Sequence, residues 1–448
     1  MVELPVGRLL PPAAPTVPTP GQPRGRGLLV LLVSALPLVL LSQGFFLEKA
    51  LDLVLEMRLA ALWGASARRD MYLLASSVLV PAAMLELVAI PLIVDIRRRG
   101  ATGEQDVAAS LATATVLFTA LMIGLALAAW WLSGADAAPA SEMLAATIAF
   151  GAAGVAMGLL SLAAGQHVAD GRFAFVSARI PIMRAAMLAC AFALPLGIAA
   201  PAMGAVVSSV LLAFVVLAGS TLTGWWRPHV RGLAMAAGLL ALNAYPIIPR
   251  LLIERPLLGM VGDGTLATLD FAEKTTVILG LAGYAILGVA TTALSGAMWS
   301  HRRRALAVLV LLIPIAALAG VFAHQIVSLL FERGAFSSSD SDAVTELTRL
   351  LAPSIPFVAS VPLLVPGVRQ AGALRSGVAL IAAGLLVHTA ATAYASHTGD
   401  ARPLAIVFDA VYAALFASFY ALAGPPAAEP PGALGRDPVS GGEPAAHG

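Results

Sequence analysis

The chain has 448 residues, 59% of them hydrophobic and only 12% charged, with a net charge of +2. A water-soluble domain is nearer half apolar and a quarter charged, so this chain has too few charges to coat a water-facing surface. So small a positive excess gives no reason to expect a nucleic-acid partner, and the single cysteine, Cys190, can form no internal disulfide.

The first 26 residues are rich in proline and glycine and read as a disordered tail. Leu28–Phe46 is an apolar run too long for a signal-peptide core and without a small-x-small cleavage site, so it reads as the first membrane span. Further apolar runs follow at 71–94, 107–133, 143–165, 176–198, 203–224, 233–253, 268–297, 306–331, 344–366, 377–396 and 404–424. Each is about the 20 residues that a helix needs to cross a hydrocarbon core of ~30 Å. The expected fold is therefore an all-α polytopic membrane protein of about twelve transmembrane helices. Residues 425–448 again have the composition of a disordered tail.

The loops give an independent check. Alternate loops carry Arg97-Arg98-Arg99, Arg172, Arg227 with Arg231, Arg302-Arg303-Arg304, and Arg369 with Arg375. The intervening segments 133–142 and 198–204 carry no lysine or arginine. The positive-inside rule places the first set in the cytoplasm, and an even span count places both tails there too. Arg68 and Arg69 conflict with this pattern, because they fall in a loop assigned to the outside.

The chain also divides into an N-terminal lobe, 27–225, and a C-terminal lobe, 226–424, each with six expected spans. Residues 58–77 and 250–274 share an arginine-leucine pair, a glycine turn and an aspartate beside an aromatic or methionine-tyrosine segment. Such pseudo-repeats are common in secondary transporters, where substrate sites lie between the halves.

Ionisable residues within spans are costly unless they face protein or a water-filled cavity. Here they cluster. Glu48, Asp52 and Glu56 recur every four residues and share one helical face, with Lys49 and Arg58 beside it. Glu86 interrupts the second span, Asp409 the last, and Glu254-Arg255 and Glu273-Lys274 bracket the turn between the seventh and eighth. Lys49, Arg184 and Arg250 read more simply as interfacial snorkelling residues, and His324 and His388 as helix-packing residues. No HExxH, CxxC, GxSxG or phosphate-loop motif is present, which argues for a transporter and against an enzyme. The glycine-rich stretch 259–264 follows no strand and reads as a turn.

Three segments resemble the MurJ/MviN family, the lipid II flippases of the multidrug and oligosaccharidyl-lipid exporter superfamily. WGASARRDMYLLA (63–75) is similar to the family's turn between its first two helices, which puts Asp70 in the place of a functional acid, with Arg58 near a family arginine. Leu251 to Met298 resembles the stretch with an acid-arginine pair, here Glu254-Arg255, and an acid-cation pair opening the eighth helix, here Glu273-Lys274. LLFERGAFSSSDSDAVTELTRLLAPSIPF (329–357) resembles the signature between the ninth and tenth helices, centred on Arg333-Gly334-Ala335-Phe336. Family members usually carry two further C-terminal helices that help form a groove for the lipid tail. Glu86 lies near, but not at, the family's acid in the second helix.

The resemblance implies a flippase moving a polyprenyl-diphosphate-linked saccharide, lipid II or an exopolysaccharide unit, across the bacterial inner membrane by alternating access. It implies membrane lipids and a possible coupling ion as partners and no tight cofactor. Arg58, Arg255 and Lys274 would meet the diphosphate; Asp70, Glu86, Glu254 and Glu273 would pair those cations in the empty state or bind the ion. The alternatives are a drug/cation antiporter of the same superfamily, favouring an acidic cavity, a membrane-embedded sugar or acyl transferase, which would need a catalytic acid or histidine and a long extramembrane loop, and a non-transporting membrane scaffold.

Reporter fusions after Arg99 and Arg304 should read as cytoplasmic, and fusions within 133–142 as external. The reverse pattern would overturn the orientation.

Overall fold

The computed structural model of the protein describes residues 47–98, 104–134, 138–170, 172–217, 251–261, 263–276 and 300–424. All regular structure among them is helical. In chain order the helices are α1 (47–63), α2 (Ala67–Ser76), α3 (Val80–Arg98), α4 (Glu104–Leu132), α5 (Ala140–Ala169), α6 (Phe173–Ala193) and α7 (Ala199–Leu217). The C-terminal part adds α8 (Leu251–Gly259), α9 (265–276), α10 (His301–Val321), α11 (Ala323–Phe331), α12 (Ser338–Leu351), α13 (Ser354–Gln370), α14 (Leu374–Thr398) and α15 (Arg402–Leu422).

Seven of these helices are long and apolar enough to cross a membrane, and an eighth span arises if α12 and α13, bent by 47° at their junction, act together. This is a multi-pass membrane protein. The expected spans at 28–46, most of 233–253 and most of 268–297 lie outside the described residues, as do both tails. The expected span 71–94 is α2 and α3 joined through a 3-10 turn at Ser77–Leu79. The seven spanning helices are apolar on nearly every side, and Trp131, Phe214, Val215 and Leu329 point outward, as lipid-facing side chains do. Prolines lie inside α6, α8, α10 and α13, a placement that membrane helices tolerate more readily than soluble ones. Alpha-5 packs tightly on α3, α4 and α7, and its Gly158 is pressed against Thr115 of α4, a contact that small residues permit between membrane helices.

The turns sort to two ends. At one end Arg97 meets Asp170 at 2.9 Å, and Arg302 donates to the Ala421 carbonyl at 2.7 Å. The turns following α1, α8 and α11 meet at the other. Gly64, Gly264 and Gly334 all have positive φ there, and Ala335 N–H donates to the Ala61 carbonyl at 2.9 Å. The glycine-rich 259–264 stretch contributes to this junction as a turn. Arg68 lies at the same end and pairs with Glu142 at 2.9 Å, while Arg69 is fully buried. Neither is therefore an unpaired positive charge on a loop.

The RGAF segment is a structural turn. Phe336 inserts beneath it against Phe271 and Phe331, with ring centroids at 5.2 and 5.9 Å. Ser337 then caps α12 in a capping box with Asp340, as the serine-aspartate run leads one to expect. Ser328 and Ser341 both donate to the Glu332 carboxyl and hold it below the usual carboxylate range. A Cβ on Gly334 would run into the Ala61 carbonyl, in a backbone region (φ +62°) that side chains disfavour. Gly334→Ala should therefore destabilise the fold by about 1–3 kcal/mol through backbone strain alone. Lower accumulation and a lower melting temperature in detergent are expected; a variant that folds like the parent but loses transport would contradict the structural role.

Candidate functional site

Alpha-1 runs into the Gly64 turn with its acidic stripe facing α6 and the α8–α9 hairpin. Each acid of the stripe finds a cation. Glu48 pairs with Lys49 at 2.8 Å, and Asp52 with Arg184 of α6 at 3.3 Å. Arg184 thus turns inward, where an interfacial position was expected. Glu56 is buried and meets both Arg69 of α2 and Lys274 of α9.

Asp270 is the second anchor. It accepts from Lys274 at 2.9 Å, from Arg69 at 3.2 Å and from Arg255 of α8 at 3.4 Å. Lys274 lies one turn beyond Asp270 on α9, the spacing that brings side chains together on a helix face. Arg255 also reaches Ser76 Oγ at 3.4 Å. Arg69 lies between the rings of Tyr72 and Phe271, 4.8 and 5.1 Å from their centroids. Its Nε and Nη1 have no acceptor among the described residues. Three cations and two carboxylates are therefore in mutual contact, drawn from both halves of the sequence and carrying one excess positive charge.

The expected site residues divide between this cluster and other places. Arg255 and Lys274 are in it. Glu273 is buried beside it, about 100° around α9 from Lys274. Glu254 is buried on α8 and meets His388 of α14 at 2.9 Å, so His388 has a carboxylate partner and is more than a packing residue. Glu86 pairs with Arg179 of α6 at 2.5 Å, between α3 and α6. Asp70 accepts backbone N–H groups from Gly264 at 2.8 Å and Ala267 at 2.7 Å. It thereby caps the start of α9 from across the interface, where a carboxylate is favoured by the free N–H groups and the helix dipole.

Of the residues that the resemblance groups with Glu273-Lys274, Asp70 and Arg58 stand apart from the cluster, and Lys274 contacts Glu56 and Asp270 instead. Asp70 is committed to the α9 N-terminus. Arg58 is two residues beyond Glu56, about 200° around α1, and so faces away from the cluster. It stacks instead over Phe192 of α6 at 4.5 Å and lines a cleft of about 530 Å³. That cleft does not coincide with the charge cluster.

Glu56, Arg69 and Asp270 are members of the cluster that the sequence alone does not single out as site residues. Glu56 was visible in the acidic stripe. Arg69 was visible as an exception to the positive-inside pattern, and an arginine in the wrong loop is itself a sign of burial against acids. Asp270 sits in DFAEK one turn before Lys274, and in register with Asp70: each follows its positive-φ glycine, Gly64 or Gly264, by the same interval.

Residues 300–367, from α10 into α13, match the family model described as lipid II flippase MurJ. No curated protein matches the chain by sequence. Among solved structures the chain is similar to a lipid II flippase MurJ in an inward closed conformation, with a TM-score of 0.64 and 14% identity over 85% of this chain and 86% of that one. It is also similar to an inward-facing multidrug resistance MATE family transporter of the MOP superfamily, with a TM-score of 0.58 and 12% identity over 84% and 94%. The chain thus has the fold shared by these transporters and carries, over residues 300–367, a match to the lipid II flippase MurJ family that includes its RGAF segment.

Proposed function

We propose that the protein is a flippase that moves a polyprenyl-diphosphate-linked saccharide across the bacterial inner membrane, with both termini cytoplasmic and the two six-helix lobes rocking about the charge cluster. The observation that carries this reading is the meeting of Arg69, Arg255 and Lys274 on Asp270 and Glu56, between segments from both halves. A diphosphate presents several anionic oxygens, and guanidinium groups can bind such oxygens in pairs. Glu56 and Asp270 neutralise the cations when no cargo is bound, because an unpaired buried charge is costly. Cargo phosphates would take over some of those contacts, and the loosened carboxylate bridges would let the halves separate.

Asp70 and the three glycine turns support the same reading. They tie the two halves together at one end, so that this end is closed. Opening it would break the Asp70 contacts to Gly264 and Ala267 while cargo binding rearranges the cluster one to two turns away. A coupling ion, if used, has Glu254 and Glu273 close by as candidate carboxylates.

The drug/cation antiporter reading gains support from the MATE-like fold. Its weakness is the cluster itself, where cations outnumber carboxylates among the five groups in contact.

Lys274→Ala should abolish function in a complementation assay while the protein still inserts and accumulates, and Lys274→Arg should retain part of it. Arg69→Gln should also lose function, with a lower melting temperature, since removing one member of a buried ion cluster costs roughly 3–5 kcal/mol. Full complementation by Lys274→Ala would remove the main support for an anionic headgroup at this site.

A further inference from the structure

We propose that the cleft between α1 and the α6–α7 connection is a binding site for an anionic phospholipid, with Arg58 holding its phosphate. The inference rests on the membrane fold and not on the flippase reading. Arg58, Leu59, Leu62 and Trp63 form one wall, with Arg58 and Leu62 on the side of α1 away from Glu56. Phe192 to Pro195, Ala200 and Pro201 form the other. At about 530 Å³ the cleft is within the range of ordinary small-molecule sites.

The charge balance selects the ligand. Arg68, Arg69, Arg179 and Arg184 each meet a carboxylate. Arg58 meets none among the described residues, and its Nε is buried without an acceptor. Its guanidinium instead lies over the Phe192 ring, an arrangement that leaves the edge donors of the group available. A lone guanidinium walled by apolar side chains calls for an anion attached to an apolar body.

Depth selects the class of amphiphile. Trp63 adjoins the Gly64 turn, the position at which tryptophan marks a membrane interface. Arg58 precedes it by five residues, roughly 7.5 Å deeper along the helix axis. A guanidinium at that depth can reach upward to a headgroup phosphate. Leu62, Phe192 and Leu194 are exposed around the cleft and would lie along the acyl chains. Because Arg58 faces away from Glu56, the phosphate held here is separate from the central charge cluster, and the bound lipid is a resident one that braces α1 against α6.

Native mass spectrometry of the purified full chain with phosphatidylglycerol, and separately with phosphatidylcholine, tests this. The parent protein should retain one phosphatidylglycerol that Arg58→Gln binds roughly tenfold more weakly, the effect of losing a charge-assisted contact. Phosphatidylcholine should not distinguish the two. Leu62→Trp, which fills the cleft and keeps the arginine, should lose the same lipid and guards against misfolding of the charge variant. Equal phosphatidylglycerol retention by the parent and both variants would overturn the site. Displacement of phosphatidylglycerol from the parent by a polyprenyl diphosphate that no longer binds Arg58→Gln would also overturn it, by assigning Arg58 to the cargo.

Discussion

An ionised side chain inside a membrane protein must find a counter-charge or water, and the arrangement of this fold around α1, α2, α8 and α9 follows from that requirement. Glu56 and Asp270 come from segments some two hundred positions apart, and each is shared by more than one cation. Arg69 is enclosed between Tyr72 and Phe271 and would be untenable without both acids. The cluster therefore joins segments from both halves of the sequence as well as offering positive charge. A purely apolar contact could hold them as firmly, but it would not respond to an anionic ligand. Exchangeable ion pairs can.

The glycine turns supply the second element, because they bring the charged helices close enough to interact. Gly264 has φ +95°, and a Cβ there would lie 2.5 Å from the Ala65 carbonyl, so the turn before α9 can sit directly on the turn after α1. Asp70 then satisfies the first N–H groups of α9 from the neighbouring element, which fixes the axial position of Asp270 and Lys274. The Phe271, Phe331 and Phe336 cluster fills the space below. Backbone geometry, helix capping and aromatic packing thus all converge on the same few helix ends.

Much of this was legible in the sequence, and the parts that were not have physical reasons. The spans are visible because twenty apolar residues have few other uses, and the RGAF turn because glycine, N-cap serine and aspartate fall at fixed offsets. The acidic stripe of α1 announced a need for cations without naming them. Partner identity depends on how helices rotate against each other, which one-dimensional spacing does not reveal. Hence Arg58, adjacent to the stripe in sequence, is turned outward, while Arg184 and Arg179 point inward to acids on other helices. Asp70 was read as a functional acid from its motif. Its contacts are to backbone N–H groups, a role that leaves no signature in the sequence of α2 itself.

The most direct test of the account is a structure determined with a polyprenyl-diphosphate-linked sugar bound. The account predicts the phosphates within hydrogen-bond distance of Lys274, Arg255 or Arg69, with at least one of the contacts to Glu56 or Asp270 released. Phosphates held elsewhere, with all of those ion pairs intact, would contradict it.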